Sequence, residues 1–124
     1  MSDKSILLID DEPRLAEVIA VCLESFKGWA VVVVNSGIEG LAIADTLKPD
    51  AILLDVMMPV MDGTEIYQKL QQNPNTQNIP VIFLTAKVQA KDREHFAQLG
   101  VAGMLSKPFD PLTLADQVAQ ILGW

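Results

Sequence analysis

Short, nearly continuous apolar runs punctuate the chain at Ile6 to Ile9, Ala30 to Val34, Ala51 to Leu54, Ile79 to Leu84 and Gly103 to Leu105. Runs of this length, rich in β-branched residues and lacking polar alternation, predict strands buried on both faces. Between the first two, Leu15, Val18, Ile19, Cys22, Leu23 and Phe26 recur at spacings of three and four, with Pro13 near the start and Gly28 just past the end. That spacing and punctuation predict an amphipathic helix. The same reading gives helices at about Ile38 to Leu47, Gly63 to Gln72, Ala90 to Leu99 and Pro111 to Leu122, set off from the strands by Gly, Pro, Asn and Asp.

Strand then helix, repeated five times, implies a parallel sheet, because parallel neighbours need crossover connections and these are right-handed. The expected fold is therefore a doubly wound α/β domain: a five-stranded parallel sheet in the flavodoxin-like order 2-1-3-4-5, with helices on both faces. At 124 residues, half of them hydrophobic, the chain suits a single domain spanning 1–124. No linker, repeat or low-complexity segment interrupts it. The fifth predicted helix uses up the chain, so the expectation is a complete single-domain protein with no output domain.

Composition narrows the class of function. No apolar stretch approaches the roughly 20 residues that span a bilayer, and Asp3 and Lys4 fall where a signal peptide would begin its apolar region. A cytoplasmic protein without membrane contact is expected. The lone cysteine, Cys22, can form neither an internal disulfide nor a cysteine-based metal site. A net charge of −7 makes the surface repel a phosphate backbone on balance, which argues against direct nucleic-acid binding.

In an open parallel sheet, ligands bind beyond the carboxyl ends of the strands. The first predicted strand ends in Asp10, Asp11 and Glu12, the third in Asp55, the fourth in Thr85 and the fifth in Ser106 and Lys107, whereas the second ends blandly in Asn35 and Ser36. With adjacent strands about 4.8 Å apart, the assumed order brings Asp10, Asp11, Asp55, Thr85 and Lys107 to one small cavity. Carboxylates gathered there repel one another by about 4 kcal/mol per pair at 4 Å and an effective dielectric of 20. A cation is needed to offset this. Oxygen ligands alone select a hard ion, and few protein ligands with room for water favour Mg²⁺ over Ca²⁺. A magnesium-bound carboxylate beside a lysine and a hydroxyl is equipped for phosphoryl transfer, with Asp55 as the nucleophile that becomes an acyl phosphate.

The motifs Ile9-Asp10-Asp11-Glu12, Leu54-Asp55-Val56-Met57-Met58-Pro59-Val60-Met61-Asp62-Gly63, Leu84-Thr85-Ala86 and Lys107-Pro108-Phe109 make the chain similar, from end to end, to the response-regulator receiver domains of two-component signalling. The resemblance implies that Asp55 accepts phosphate from a histidine kinase or phosphotransfer protein, while Asp10, Asp11, Asp55 and the backbone carbonyl of Met57 hold Mg²⁺. It implies that Lys107 pairs with the phosphoryl oxygens and that Thr85 swings inward to bond one of them. Phosphorylation would then bias a two-state equilibrium read by a downstream protein on the face of the fourth helix, fifth strand and fifth helix. Such a protein is a phospho-acceptor switch rather than a conventional enzyme. A cis bond before Pro108 is also implied.

Three positions depart from or tune that pattern. Met104 stands where many such domains place a Tyr or Phe whose ring moves with the threonine, so a ring-based switch at this position is in doubt. Met57 and Lys87 flank the phosphoryl site at positions that influence how long the phosphate survives. Met57 has no polar side-chain group to orient an attacking water, and a fairly long-lived phosphoaspartate is expected.

Each residue also has a bland reading. Acids after a strand often complement the positive end of a helix dipole, Asp55 alone could cap a strand, Thr85 alone could be an ordinary strand residue, and Lys107 a surface lysine. Their shared placement favours a site. Cys22 reads as a small core residue, His95 as a half-exposed helix residue, and Pro59 and Gly63 as turn residues. Leu112, Phe109 and Trp124 either support a homodimer or complete the core.

Three rival functions fit the architecture less well. An FMN carrier would want a Ser, Thr and Gly loop after the first strand, where the acids at 10–12 would repel its phosphate. A phosphatase working through an aspartyl phosphate would want an acid in the place of Met57. A scaffold that needs no phosphate would have no use for all five polar residues.

Overall fold

The computed structural model describes residues 4–58, 60–86 and 90–124. Five strands, β1 (Ser5–Ile9), β2 (Ala30–Val34), β3 (Ala51–Asp55), β4 (Val81–Thr85) and β5 (Gly103–Ser106), alternate with five helices. The helices are α1 (Pro13–Lys27), α2 (Gly37–Leu47), α3 (Gly63–Gln72), α4 (Ala90–Leu99) and α5 (Leu114–Leu122). All strand pairings are parallel and the order across the sheet is β2-β1-β3-β4-β5, as expected from the alternation. Among the described residues no helix is long and apolar enough to cross a membrane.

The period of two along each strand divides the core between the sheet's faces. Ile6, Leu8, Leu53, Ile82 and Leu84 pack with α1 and α5 on one face, and Leu7, Ile9, Ile52, Leu54 and Phe83 pack with the other helices on the opposite face. β1, β3 and β4 are buried on both faces, as predicted. β2 and β5 are not: they are the edge strands, β5 is only partly buried, and β2 leaves Val32 and Val33 well exposed. The apolar run of β2 resembles the central strands in sequence, but only one of its edges has a neighbour.

Local chemistry sets where the helices start and stop. Pro13 opens α1, where its missing N–H costs nothing, and Gly28 ends it in the left-handed region at φ 70°, its N–H bonded to the Glu24 carbonyl at 3.0 Å. The Ser36 hydroxyl caps α2 and the Asp62 carboxylate caps α3, each accepting from the N–H three residues on.

Three expected boundaries or faces shift. α1 buries Ala16, Ile19, Ala20, Cys22 and Leu23, while Val18 and Phe26 are about half exposed. The alanines, inconspicuous in a hydrophobic pattern, hold the inner stripe. β4 begins at Val81 rather than Ile79, because the Ile79 N–H closes a turn onto Thr76 and the ladder starts beyond Pro80. α5 begins at Leu114 rather than Pro111, because Asp110 holds a turn: its Oδ1 accepts the Leu112 N–H at 3.0 Å and its carbonyl accepts those of Thr113 and Leu114.

Of the three residues considered for a dimer, two are engaged within the chain. Trp124 packs edge-on against Trp29 at 5.1 Å between centroids, with the Lys4 ammonium 4.9 Å from its ring centre, and Phe109 packs against the α1 side of the core. Leu112 stays exposed. Cys22 is a buried core residue, as read from the sequence, whereas His95 is exposed rather than half-exposed.

Candidate functional site

The β1–β3 register aligns Ile9 with Leu54, and one further step sets Asp10 beside Asp55. On the other side, Asp55 pairs with Leu84, and Thr85 pairs with Ser106, immediately before Lys107. The sheet thus carries its polar residues to one edge, just beyond four ladders of apolar side chains. Asp10, Asp55 and Thr85 are almost wholly buried there.

Lys107 bridges the carboxylates. Its Nζ lies 3.2 Å from Asp55 Oδ2, 3.5 Å from Asp10 Oδ2 and 3.8 Å from Glu12 Oε1. Backbone donors take the other oxygens: the Met57 N–H bonds Asp55 Oδ1 at 3.1 Å, and the Glu12 N–H bonds Asp10 Oδ1 at 2.9 Å. The backbone N–H of Lys107 bonds the Thr85 carbonyl at 2.9 Å, and a cis peptide joins Lys107 to Pro108, as the resemblance implied.

The electrostatics are those of an underneutralised site. Burial, and then the neighbouring Asp10 charge, push the Asp55 carboxyl up to about 6, against the opposing pull of Lys107 and the Met57 N–H. Burial works against the charge of Lys107, but the carboxylates of Asp10, Asp55 and Glu12 outweigh it and hold the ammonium above its ordinary range. One lysine is shared by three acids. Although it stands within ion-pair distance, Asp10 Oδ2 and Asp55 Oδ2 are buried without a hydrogen-bond partner.

The residues that carry those two oxygens belong to a larger donor set. Asp10, Asp11, Glu12 and Asp55 each offer a carboxylate oxygen, all within 4.8 Å of one another. An all-oxygen set around unsatisfied buried atoms fits a hard divalent cation. Two contributors went unrecognised in the sequence. Glu12 joins both the donor set and the ion-pair network, and the Asn35 side-chain amide donates to the Asp10 carbonyl at 2.9 Å, tying the end of β2 to the site. The expected order already set β2 beside β1, but nothing in the sequence marks the Asn35 amide as the donor that reaches across. Lys87 and Pro59 lie outside the described residues.

Gly63, the first residue of α3, sits close against the end of β3. The Gly63 N–H bonds the Val56 carbonyl at 2.9 Å, and a Cβ on Gly63 would lie 2.7 Å from Val56 Cα and 2.8 Å from the Asp55 carbonyl oxygen. Both obstacles are backbone. Gly63→Ala is therefore expected to destabilise the fold by about 1–3 kcal/mol through overpacking and to displace the acceptor loop. Urea unfolding would measure the first effect, and a slowed uptake of phosphate at Asp55 the second.

Met104 lies opposite Phe83 in the β4–β5 register and packs into the same side of the core. Aromatic rings come instead from α3 and α4: Phe83 meets Phe96 at 5.1 Å and Tyr67 at 5.9 Å, both edge-on.

Comparisons with known proteins agree with this fold. The family model described as "Response regulator receiver domain" matches residues 6–119. The chain is 38% identical over 117 residues to the DNA-binding dual master transcriptional regulator RpaA of Synechocystis, covering 94% of this chain and 48% of that protein. It is 37% identical over 120 residues to the alkaline phosphatase synthesis transcriptional regulatory protein PhoP of Bacillus subtilis, covering 97% and 49%. The chain thus spans about half the length of these curated relatives. Among solved structures, the chemotaxis response regulator CheY4 of Vibrio cholerae superposes with a TM-score of 0.89 at 28% identity, covering 97% of this chain and 99% of that one. The receiver domain of the sensor histidine kinase PA1611 of Pseudomonas aeruginosa, solved with a magnesium ion coordinated in its active-site cleft, superposes at 0.85 with 33% identity over 99% and 100% of the two chains. From the start of β1 to the last turns of α5, the chain belongs to the response-regulator receiver domains of two-component signalling.

Proposed function

We propose that this chain accepts a phosphoryl group on Asp55 from a phosphohistidine of a histidine kinase or phosphotransfer protein, and that the modified state is read by a protein partner on the face of α4, β5 and α5. The observation that carries this reading is Asp55 Oδ2, a buried carboxylate oxygen that accepts from no backbone amide and faces the Lys107 ammonium at 3.2 Å. In the transfer, Oδ2 attacks phosphorus, the donor's phosphorus–nitrogen bond breaks, and the imidazole leaves as the neutral ring after taking up a proton. Little covalent chemistry falls to the protein, so positioning and charge dominate.

The residues divide that work. The Met57 N–H holds Oδ1 and leaves Oδ2 as the attacking atom. Lys107, no longer needed by Asp55 once it is phosphorylated, is placed to pair with a phosphoryl oxygen. Thr85, at the end of β4, supplies a hydroxyl for another, and its inward movement would bias the packing of α4 and β5. Asp10, Asp11, Asp55 and the Met57 carbonyl would hold Mg²⁺, with Glu12 beside them. When bound, that ion neutralises part of the charge brought together by acids and phosphate. The same arrangement would let the domain promote its own dephosphorylation.

Incubation with Mg²⁺ and acetyl phosphate, followed by intact mass measurement, tests the reading. A gain of one phosphoryl group, lost when chelator is added, is expected; an unchanged mass under every condition would leave a phosphate-independent interaction module as the better account. Phosphate lifetime gives a finer check on Met57. Exchanging its thioether for a group that orients water, Met57→Asn, is expected to shorten the lifetime about tenfold, less than the roughly 10²–10⁴-fold of a full general base because an amide orients a water without taking its proton. An unchanged lifetime would free Met57 from that role.

A further inference from the structure

β2 is the sheet's outer strand, and its backbone polarity is readable from two bonds. The Ala30 N–H reaches the Lys4 carbonyl at 3.0 Å, and the Val34 carbonyl accepts the Asp10 N–H at 3.1 Å, so the even-numbered residues face β1. The strand's period of two then turns the N–H and C=O of Val31 and Val33 outward, where no strand among the described residues pairs with them. Edge strands are commonly protected by a charge, a proline or a bulge. Ala30–Val34 contains no charge and no proline, and its ladder with β1 runs through all five residues without a bulge.

A groove of about 470 Å³ runs alongside, between this edge and the outer face of α1. Val21 and Val33 contribute apolar surface to it, and Glu17 and Glu24 stand over it with no ion-pair partner among the described residues. A strand laid beside β2 would place alternate side chains beneath those two carboxylates and the others on the side of Val32. We infer that the β2 edge is a strand-accepting site for an extended segment of a partner protein, basic on the face toward α1 and β-branched on the other. Charge complementarity selects that occupant. A second copy of this chain would bring another −7 and its own Glu17 and Glu24 to the contact. The site does not depend on Asp55, so it stands or falls separately from the phospho-acceptor reading.

Amide hydrogen exchange of the full chain, read by NMR, tests it with an acetylated, amidated heptapeptide alternating lysine and valine. Exchange at Val31 and Val33 is expected to slow roughly tenfold on saturation, while Val32, already turned toward β1, is unchanged. The glutamate–valine peptide should give no protection. Val33→Pro removes one outward donor and no inward bond, and should abolish the effect at Val31. The double variant Glu17→Lys, Glu24→Lys, altered only on the exposed face of α1, should abolish it as well. Equal protection by the acidic peptide would overturn the inference, as would no protection by the basic one. Protection growing with protein concentration in the absence of peptide would assign the edge to a second copy instead. Perturbation confined to residues around Asp10 and Asp55, and lost in Asp55→Asn, would place the basic peptide at the acidic site and overturn it too.

Discussion

Asp55→Asn is expected to gain no phosphoryl group from acetyl phosphate and Mg²⁺ under conditions in which the wild type is modified, as read by intact mass. The neighbouring acids do not substitute, for reasons visible in the geometry. Asp10 is wholly buried, and its Oδ1 is held by the Glu12 N–H. Asp55 is held in the same way by the Met57 N–H, but its Oδ2 lies nearer the Lys107 ammonium, at 3.2 Å against 3.5 Å for Asp10 Oδ2. An asparagine keeps that shape but loses the anionic nucleophile, so the effect is an abolition rather than a slowing. Lys107→Ala should behave differently, retaining the nucleophile and losing charge stabilisation, with uptake slowed by about two to three orders of magnitude. A phosphoryl group found on the Asn variant would move the acceptor to another residue and sink the assignment.

The same substitution should make the metal-free protein more stable at neutral pH. Asp55 titrates at about 6 in the folded chain, against an unperturbed value of about 3.9 in the unfolded one. Between those values the native state binds more protons, so stability falls as pH rises from about 4 through 6 and stays reduced above that. Two pKa units correspond to roughly 2–3 kcal/mol. In the presence of chelator, wild type minus Asp55→Asn should therefore become more negative by about that amount between pH 4 and 7.5, measured by urea unfolding. Saturating Mg²⁺ at pH 7.5 should recover stability in the wild type and less of it in the variant. A difference that does not move with pH would mean that Lys107 already compensates the cluster.

Much of this molecule was legible in its sequence, because the signals involved are local. Uninterrupted runs such as Ile6 to Ile9 can only be buried strands or short buried helices, and five of them alternating with helical spacing leave few topologies. The acids at Asp10, Asp11 and Asp55 and the basic Lys107 each end a strand. Once the strands are parallel, their ends share one edge. What misled was equally local. Val18 and Phe26 are hydrophobic enough to look like core, and Ala16 and Ala20 small enough to be overlooked, yet both alanines are buried and Ala16 packs in the core against the sheet.

The sequence by itself determined the fold class, the position of the polar edge and the identity of the residues gathered there, since these follow from periodicity and from which residue ends each strand. The expected order already set Ala30–Val34 at the edge, but tertiary structure alone decided how open it is, because an apolar strand reads the same whether its faces are covered or, as at Val32 and Val33, exposed. It also decided that Glu12 and Asn35 belong to the site and that one lysine is shared among three carboxylates. Those facts depend on distances between residues far apart in the chain, and charge burial becomes a measurable property only when folding brings them together.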